Sequence, residues 1–378
     1  MTSSRRNFIK AGILGGIAAT AGIPSLATSS QAAGGKGKSA RQLDILVLGG
    51  TGFIGPHMVR EALRRGHKVT LFNRGKRNDD LFPDLETIIG DRDNGLDGLK
   101  GRRWDAVIDN SGYVPRHVQD SARLLAPNTD RYLYISTVAV YENIGTAGDE
   151  DSPLATIADE TIEEVNGETY GPLKALCEKR VVAEIEADKR TILRPTYICG
   201  PGDHTDRFSY WPLRTRKGGT MAWPGSPDGT MQIVDVRDLA TFTIDCLDRQ
   251  VSGVYNTVNP AGSYTMGELL EDCRAVTQAD VDAVWLSEDF LYEQQAMPTW
   301  QRAFPCWHPR TGADALQFGV SGERAMAAGM QCRPERETAR DLLSWWDTLP
   351  AERRENPKAG LSADDETRLI AAWRERGA

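Results

Sequence analysis

Short apolar runs and amphipathic stretches alternate along most of this chain. Leu43-Asp44-Ile45-Leu46-Val47-Leu48 has the length and composition of a strand buried on both faces, as in a parallel sheet. Ile54, Met58, Val59, Ala62 and Leu63 then recur at helical spacing as far as Gly66, and His67-Lys68-Val69-Thr70-Leu71-Phe72 reads as a second strand. The same rhythm predicts strands over residues 85–89, 104–109, 131–136 and 191–195, with sheet-completing segments near 232–258. Strand and helix in alternation predict an α/β fold, a doubly wound parallel sheet whose ligand sits at the carboxyl ends of the strands. At the far end, Ser362-Ala363-Asp364-Asp365-Glu366 reads as the cap of an amphipathic helix carrying Leu369, Ile370 and Trp373, expected to pack on the body.

Between the first strand and the first helix stands Gly49-Gly50-Thr51-Gly52-Phe53-Ile54-Gly55. Strand, glycine loop, helix and strand within about 30 residues is the arrangement of a dinucleotide site. Glycines let the backbone turn tightly and approach a pyrophosphate, whose charge rests on the helix N-terminus. The end of the second strand then selects the cofactor, because an acid there would bond the ribose 2′-hydroxyl. Here stand Asn73 and Arg74, then Lys76 and Arg77, with no carboxylate before Asp79. Arg74 is placed to pair with a 2′-phosphate, so NADP is expected ahead of NAD.

Composition adds exclusions and a compartment. The 378 residues carry 45 Lys and Arg against 53 Asp and Glu, a net charge of −8. That balance argues against nucleic acid held on a basic surface. Five His with no local pair and six Cys with no Cys-x-x-Cys give no metal site. The charge is uneven. Ser4-Arg5-Arg6-Asn7-Phe8-Ile9-Lys10 precedes an uncharged Gly- and Ala-rich run, residues 11–33, too weakly apolar for a membrane span. This is the order of an export signal, and the paired arginines with Phe8 and Lys10 resemble the twin-arginine signal. Residues 1–33 are therefore expected to be a signal peptide passed to the twin-arginine translocase, residues 34–42 a linker, and the mature protein periplasmic. Removing Arg5, Arg6 and Lys10 with that segment moves the net charge from −8 to −11. Export of a folded chain leaves the cysteines as ordinary core residues.

Two features carry chemistry. In Tyr170-Gly171-Pro172-Leu173-Lys174, positions i and i+4 share a helix face, and a nearby ammonium stabilises phenolate, which suits an acid/base. Pro172 is tolerable only in the first turn, which puts Tyr170 at the helix start. The second feature, Ile135-Ser136-Thr137-Val138-Ala139-Val140-Tyr141, closes the fifth strand with two hydroxyls.

Taken with the Gly-x-x-Gly-x-x-Gly spacing of Gly49, Gly52 and Gly55, these motifs resemble the extended branch of the short-chain dehydrogenase/reductase superfamily, the NAD-dependent epimerases and dehydratases. Residues 191–203, 232–240 and 253–256 extend the resemblance from about residue 43 to 275. It implies a Rossmann-type core over 43–196 and a smaller C-terminal α/β substrate-binding region over 197–360, with the terminal helix read above occupying 361–378. It implies Thr137, Tyr170 and Lys174 as catalytic residues, with Thr137 holding the substrate oxygen and Lys174 orienting the ribose and tuning Tyr170. It places Gly49, Gly52, Phe53, Ile54, Gly55, Asn73, Arg74, Asp91, Arg92, Tyr170 and Lys174 at the cofactor, Asp91 near adenine. Members of the branch often pair through a four-helix bundle, so a homodimer is implied.

The departures matter for the substrate. The segment from Glu142 to Glu168 holds nine acids and is expected as a surface loop over the cleft mouth, either a solvated face or a repeller of anions. Arg207, Arg214, Arg216, Lys217 and Arg237 match only diffusely the residues that hold a substrate pyrophosphate in nucleotide-sugar enzymes. Trp285, Trp300, Trp307, Trp345 and Trp346 read either as sugar-stacking aromatics or as the core of a helical cap. Export removes the supply of free cofactor, so the expected activity is redox-neutral hydride transfer on a hydroxyl or carbonyl of a sugar-like substrate, with a tightly held cofactor. The alternatives are a simple NADP-dependent carbonyl or alcohol reductase and, in another class, a nucleotide- or RNA-binding protein on the same fold.

Overall fold

The computed structural model describes residues 41–78, 80–145, 148–294, 303–310 and 319–376. Residues 1–33, expected as an export signal, nearly all of the expected linker, Asp79 and Trp300 lie outside them. The core is a seven-stranded parallel sheet of β1 (Asp44–Leu48), β2 (Lys68–Asn73), β3 (Thr87–Ile89), β4 (Trp104–Asp109), β5 (Thr129–Ile135), β6 (Arg190–Pro195) and β10 (Gly253–Thr257). Its order is β10-β6-β5-β4-β1-β2-β3, the doubly wound arrangement that the alternating pattern predicts.

Both faces of the sheet are covered, which explains the unbroken apolar runs. Ile45 and Val47 of β1 face α1 (Gly55–Arg64) and the helix Val236–Asp248, in a core with Met58, Val59 and Phe242. Leu46 and Leu48 face the other way, towards α2 (Pro115–Leu125) and α3 (Tyr170–Glu184), in a core with Val118, Tyr132 and Val181.

The remaining chain returns over the carboxyl edge of the sheet. β7 (Tyr197–Cys199) pairs in parallel with β9 (Ile233–Asp235), and β8 (Gly219–Pro224) pairs with β11 (Val281–Leu286). A third core lies here, with Phe208, Trp211, Trp223, Phe290, Phe304 and Trp307 fully buried. Each such side chain contributes on the order of 2–3 kcal/mol by leaving water. Trp211 stacks on Trp223 with ring centres 4.7 Å apart, and Trp223 meets Trp285 at 5.6 Å. Trp346 is buried beside Trp345. Trp307 and Trp346 are thus interior residues, Trp285 and Trp345 are half-buried, and no described tryptophan lines the cleft at the carboxyl ends of the strands. The terminal helix, Ala363–Arg376, closes the same core: buried Glu366 accepts from Arg214 Nε and from the Ala222 backbone N–H.

Candidate active site

The carboxyl ends of β1, β2, β4, β5 and β6 converge on one cleft of about 940 Å³. Its floor begins at the glycine loop. Gly49 and Gly50 have φ of +112° and +96°, and a Cβ on Gly55 would sit 2.5 Å from the Gly50 Cα. The loop must therefore be glycine for α1 to start directly against it. At Gly52 a Cβ would meet nothing, so the backbone there is open to a ligand. Ile54 precedes α1, whose first backbone N–H groups face the cleft end of the sheet. Phe53 packs edge-on against His57 and His204. His57 Nε2 donates to the Pro201 carbonyl at 2.8 Å. These contacts clasp the 200–205 segment over the glycine loop.

At the end of β2, the Asn73 carboxamide oxygen accepts from the Gly75 N–H and shapes the turn. Asn78 Nδ2 ties that turn to the Thr51 carbonyl. Arg74, Lys76 and Arg77 all line the cleft. Arg74 is exposed and reaches Asp91 only at 4.0 Å. Arg92 lines the cleft too, but its guanidinium is committed elsewhere. It makes a buried bidentate pair with Asp109 and a bond to Ser121. The structure thus places Arg92 as a brace joining the segment after β3 to β4 and α2 at the edge of the cleft.

Thr137 and Tyr170 come together. The Thr137 hydroxyl accepts from the Ala139 N–H, lines the same cleft as the Tyr170 phenol and stands near enough to favour its phenolate. Gly171 explains the approach: a Cβ there would lie 2.2 Å from the Ala139 carbonyl oxygen, so only glycine lets the start of α3 press on the 138–140 turn. α3 does begin at Tyr170, with Pro172 in its first turn. Burial raises the Tyr170 phenol above its ordinary value, and the Tyr113 ring, 6.3 Å away, adds to this.

Lys174 lies one turn along α3 and lines the same cleft, but it does not touch Tyr170 directly. Its ammonium donates to the Gly112 carbonyl, the Tyr134 hydroxyl and the Ile135 carbonyl, at 2.6–2.7 Å. Burial pushes it down to about 8. The ammonium also stands 5.3 Å from the Tyr113 ring centre. It ties Gly112, just past β4, to Ile135 at the end of β5.

Beneath this pair runs a buried network that sequence reasoning missed. Ser136 donates to Glu178, four residues beyond Lys174 on α3. Glu178 forms a bidentate ion pair with Arg194 of β6, and both side chains are 4% exposed. Arg194 also donates to the Tyr141 hydroxyl and the Glu150 carbonyl. Tyr141 donates to Asn256 Oδ1, and the Asn256 N–H donates to the Glu150 carboxylate. Three motif residues of the sequence, Tyr141, Arg194 and Asn256, thus belong to one scaffold behind Thr137. The acids at 178 and 150 that complete it look, in sequence, like solvated charge.

Four of the nine acids in the 142–168 segment pair with arginines of other segments, Glu150 among them with Arg324. Glu163 pairs with Arg116, Glu160 with Arg180, and Asp151 with Arg324. Of the basic residues past the sheet, Arg214 pairs with Glu366, Arg216 with Asp347, and Arg237 with Asp235 and Asp341. Arg207 instead lines the cleft. Among the described residues no group of three or more His, Cys, Asp or Glu could hold a metal ion.

Known proteins fit this geometry. The family model "NAD dependent epimerase/dehydratase family" matches residues 45–259. The chloroplast stem-loop binding protein of 41 kDa b from Arabidopsis thaliana is 28% identical over 222 residues, which are 54% of this chain and 55% of that protein. The chain therefore spans about half of that relative's length. Among solved structures, Bordetella bronchiseptica WbmG in complex with NAD and UDP superposes with a TM-score of 0.58 at 16% identity, covering 85% of this chain and all of that one. Human epimerase family protein SDR39U1 with NADPH superposes at 0.55 with 23% identity, covering 81% and 100%. These likenesses show the fold.

Proposed function

We propose that this chain, which belongs to the NAD dependent epimerase/dehydratase family, is an enzyme of redox-neutral hydride transfer on a hydroxyl-bearing carbon of a sugar-like substrate. The observation that carries this reading is the Thr137–Tyr170 hydroxyl pair standing in the same cleft as the open glycine loop. The loop residues 49–55, with α1 behind them, suit a pyrophosphate, and Arg74, Lys76 and Arg77 suit a 2′-phosphate, which favours NADP over NAD. A nicotinamide cofactor, when bound, supplies the hydride acceptor and donor. Tyr170 takes the proton from the reacting hydroxyl and returns it to the same oxygen later in the turnover. Thr137 donates a hydrogen bond to that oxygen and holds it beside the phenol. Lys174 keeps the cleft floor in register through Gly112 and Ile135.

The basic Arg5–Lys10 segment supports export through the twin-arginine translocase as a folded, loaded protein, and the clasp of residues 200–205 over the glycine loop favours retention of the cofactor. A homodimer belongs to the same reading. The test is to purify the exported chain, denature it and quantify the released nucleotide. About one NADP(H) per chain is expected, by analogy with cofactor-retaining catalysis. An empty chain that oxidises added NADPH against a carbonyl compound would instead establish the reductase reading. One feature favours that alternative: burial holds the Tyr170 phenol protonated, ready to donate to a carbonyl oxygen.

A further inference from the structure

The substrate side of the cleft carries little charge. Tyr197, His204, Thr205, Arg207 and His308 stand along it. Burial pushes the His204 imidazole down and the His308 imidazole down to about 4, so neither adds positive charge at neutral pH. The charge on this wall is Arg207. Its Nε donates to the Thr205 hydroxyl at 3.1 Å. Its guanidinium carbon lies 5.0 Å from the centre of the Tyr197 ring. Tyr197 is itself held by His308, hydroxyl to Nε2 at 2.9 Å, with the two rings stacked.

These contacts fix one edge and one face of the guanidinium, leaving its terminal nitrogens as the uncommitted donors. Asp203 attracts Arg207 from four residues away without pairing with it: its Oδ1 accepts from the Thr205 N–H and hydroxyl, and its buried Oδ2 has no hydrogen-bond partner. Among the described residues no carboxylate pairs with Arg207, in contrast to Arg214, Arg216 and Arg237. Arg207 is also close enough to Tyr170 to favour its phenolate. A planar fork on a packed ring matches a carboxylate in two parallel hydrogen bonds. One cation matches one negative charge. A pyrophosphate would leave a second charge desolvated and unpaired.

We infer, on the hydride-transfer reading above, that Arg207 anchors a carboxylate of the substrate, and that the enzyme acts on a small carboxylate-bearing hydroxy or oxo compound, such as a sugar acid, and not on a nucleotide-linked sugar.

The full-length, cofactor-loaded protein is titrated by calorimetry with D-glucuronate, D-glucose, D-glucose 6-phosphate and UDP-glucose. Glucuronate is expected to bind about tenfold more tightly than glucose, the scale of one charge-assisted hydrogen-bonded pair. Arg207→Met removes that preference, Arg207→Lys retains part of it because charge survives without the fork, and Arg216→Met leaves it intact. Equal binding of glucuronate and glucose overturns the inference, as does the absence of glucuronate binding. Tighter binding of the phosphate or of UDP-glucose overturns it too, and so does a preference that survives in Arg207→Met. Should Arg207→Met fail to melt like the parent, Arg207→Lys carries the test alone. NADPH fluorescence in the same samples separates the two readings. A chain that binds no cofactor refutes hydride transfer, whereas a chain that binds NADPH without discriminating among the sugars refutes only the carboxylate anchor.

Discussion

In the nucleotide half of the cleft the backbone does most of the shaping, and the cations are left facing the cavity. Gly49, Gly50 and Gly55 set the loop, and Arg74, Lys76 and Arg77 line the opening with only a 4.0 Å contact from Arg74 to Asp91. In the substrate half the balance is reversed. Side chains from distant segments do the shaping, and most of the arginines are consumed internally, as in Arg214–Glu366 and Arg216–Asp347. A ligand that brings several negative charges suits the first half. The second offers Arg207. Between the halves sits the Thr137–Tyr170 pair, held from below by the Glu178–Arg194 network.

The pair at the junction gives the largest expected effect. Tyr170→Phe removes the proton carrier and leaves the glycine loop untouched. Turnover, followed by the nicotinamide absorbance, should fall by ~10²–10⁴-fold, while NADPH binding by fluorescence stays at the parent level. Cofactor binding that falls together with turnover would mean that the two halves are not separable at Tyr170.

Breaking the scaffold comes next. Glu178→Gln leaves the buried Arg194 guanidinium without its carboxylate, at a cost of about 3–5 kcal/mol of folding stability. Urea unfolding measures it. A loss below about 1 kcal/mol, the level of an exposed pair, would show that this network does not hold the strand end behind Thr137.

The contrast between these elements also marks how far the sequence could be read. Parallel strands covered on both faces leave unbroken apolar runs, so the sheet, its order of elements and the glycine loop were open to inspection. The start of α3 was readable from Pro172. Gly171 was not, because its need comes from the Ala139 carbonyl on a separate turn. Glu178 sits in Cys177-Glu178-Lys179-Arg180, which reads as a solvated helix turn, and its burial depends on Arg194. Glu150 is one of nine acids in its segment, and what separates it from exposed Asp159 is a backbone N–H at Asn256, 106 positions away. The same holds for Lys174. Spacing puts it on the Tyr170 side of the helix, but only the strand ends at Gly112 and Ile135 decide where its donors go. Fold follows from local periodicity, whereas the commitment of a charge depends on what the fold brings beside it.

The cation row at the end of β2 tests the nucleotide half alone. In Arg74→Gln with Arg77→Gln, affinity for NADPH should drop about tenfold, the worth of a charge-assisted contact to phosphate, with NADH affinity unchanged. Fluorescence titration of both cofactors reads the difference. An equal loss for the two would assign these arginines to the pyrophosphate or to the loop's own stability.

The smallest effect is on pH dependence, and it joins the two halves. Below about 8 Lys174 is an ammonium with three donors, one each for Gly112, Tyr134 and Ile135. As pH rises through that value it loses a proton and one of the three bonds. The Tyr170 phenol, raised by burial, titrates at higher pH. The alkaline limb of kcat should therefore begin near pH 8, with turnover about halved where Lys174 is half deprotonated. Stability should move in the opposite direction. The unfolded lysine keeps its proton to about 10.4, so between the two values the unfolded chain binds more protons, and the Lys174 contribution to stability rises with pH. Falling turnover with a rising melting contribution across one pH window identifies Lys174. An alkaline limb only above pH 10 would mean that the phenol, not the lysine beneath it, sets the limit.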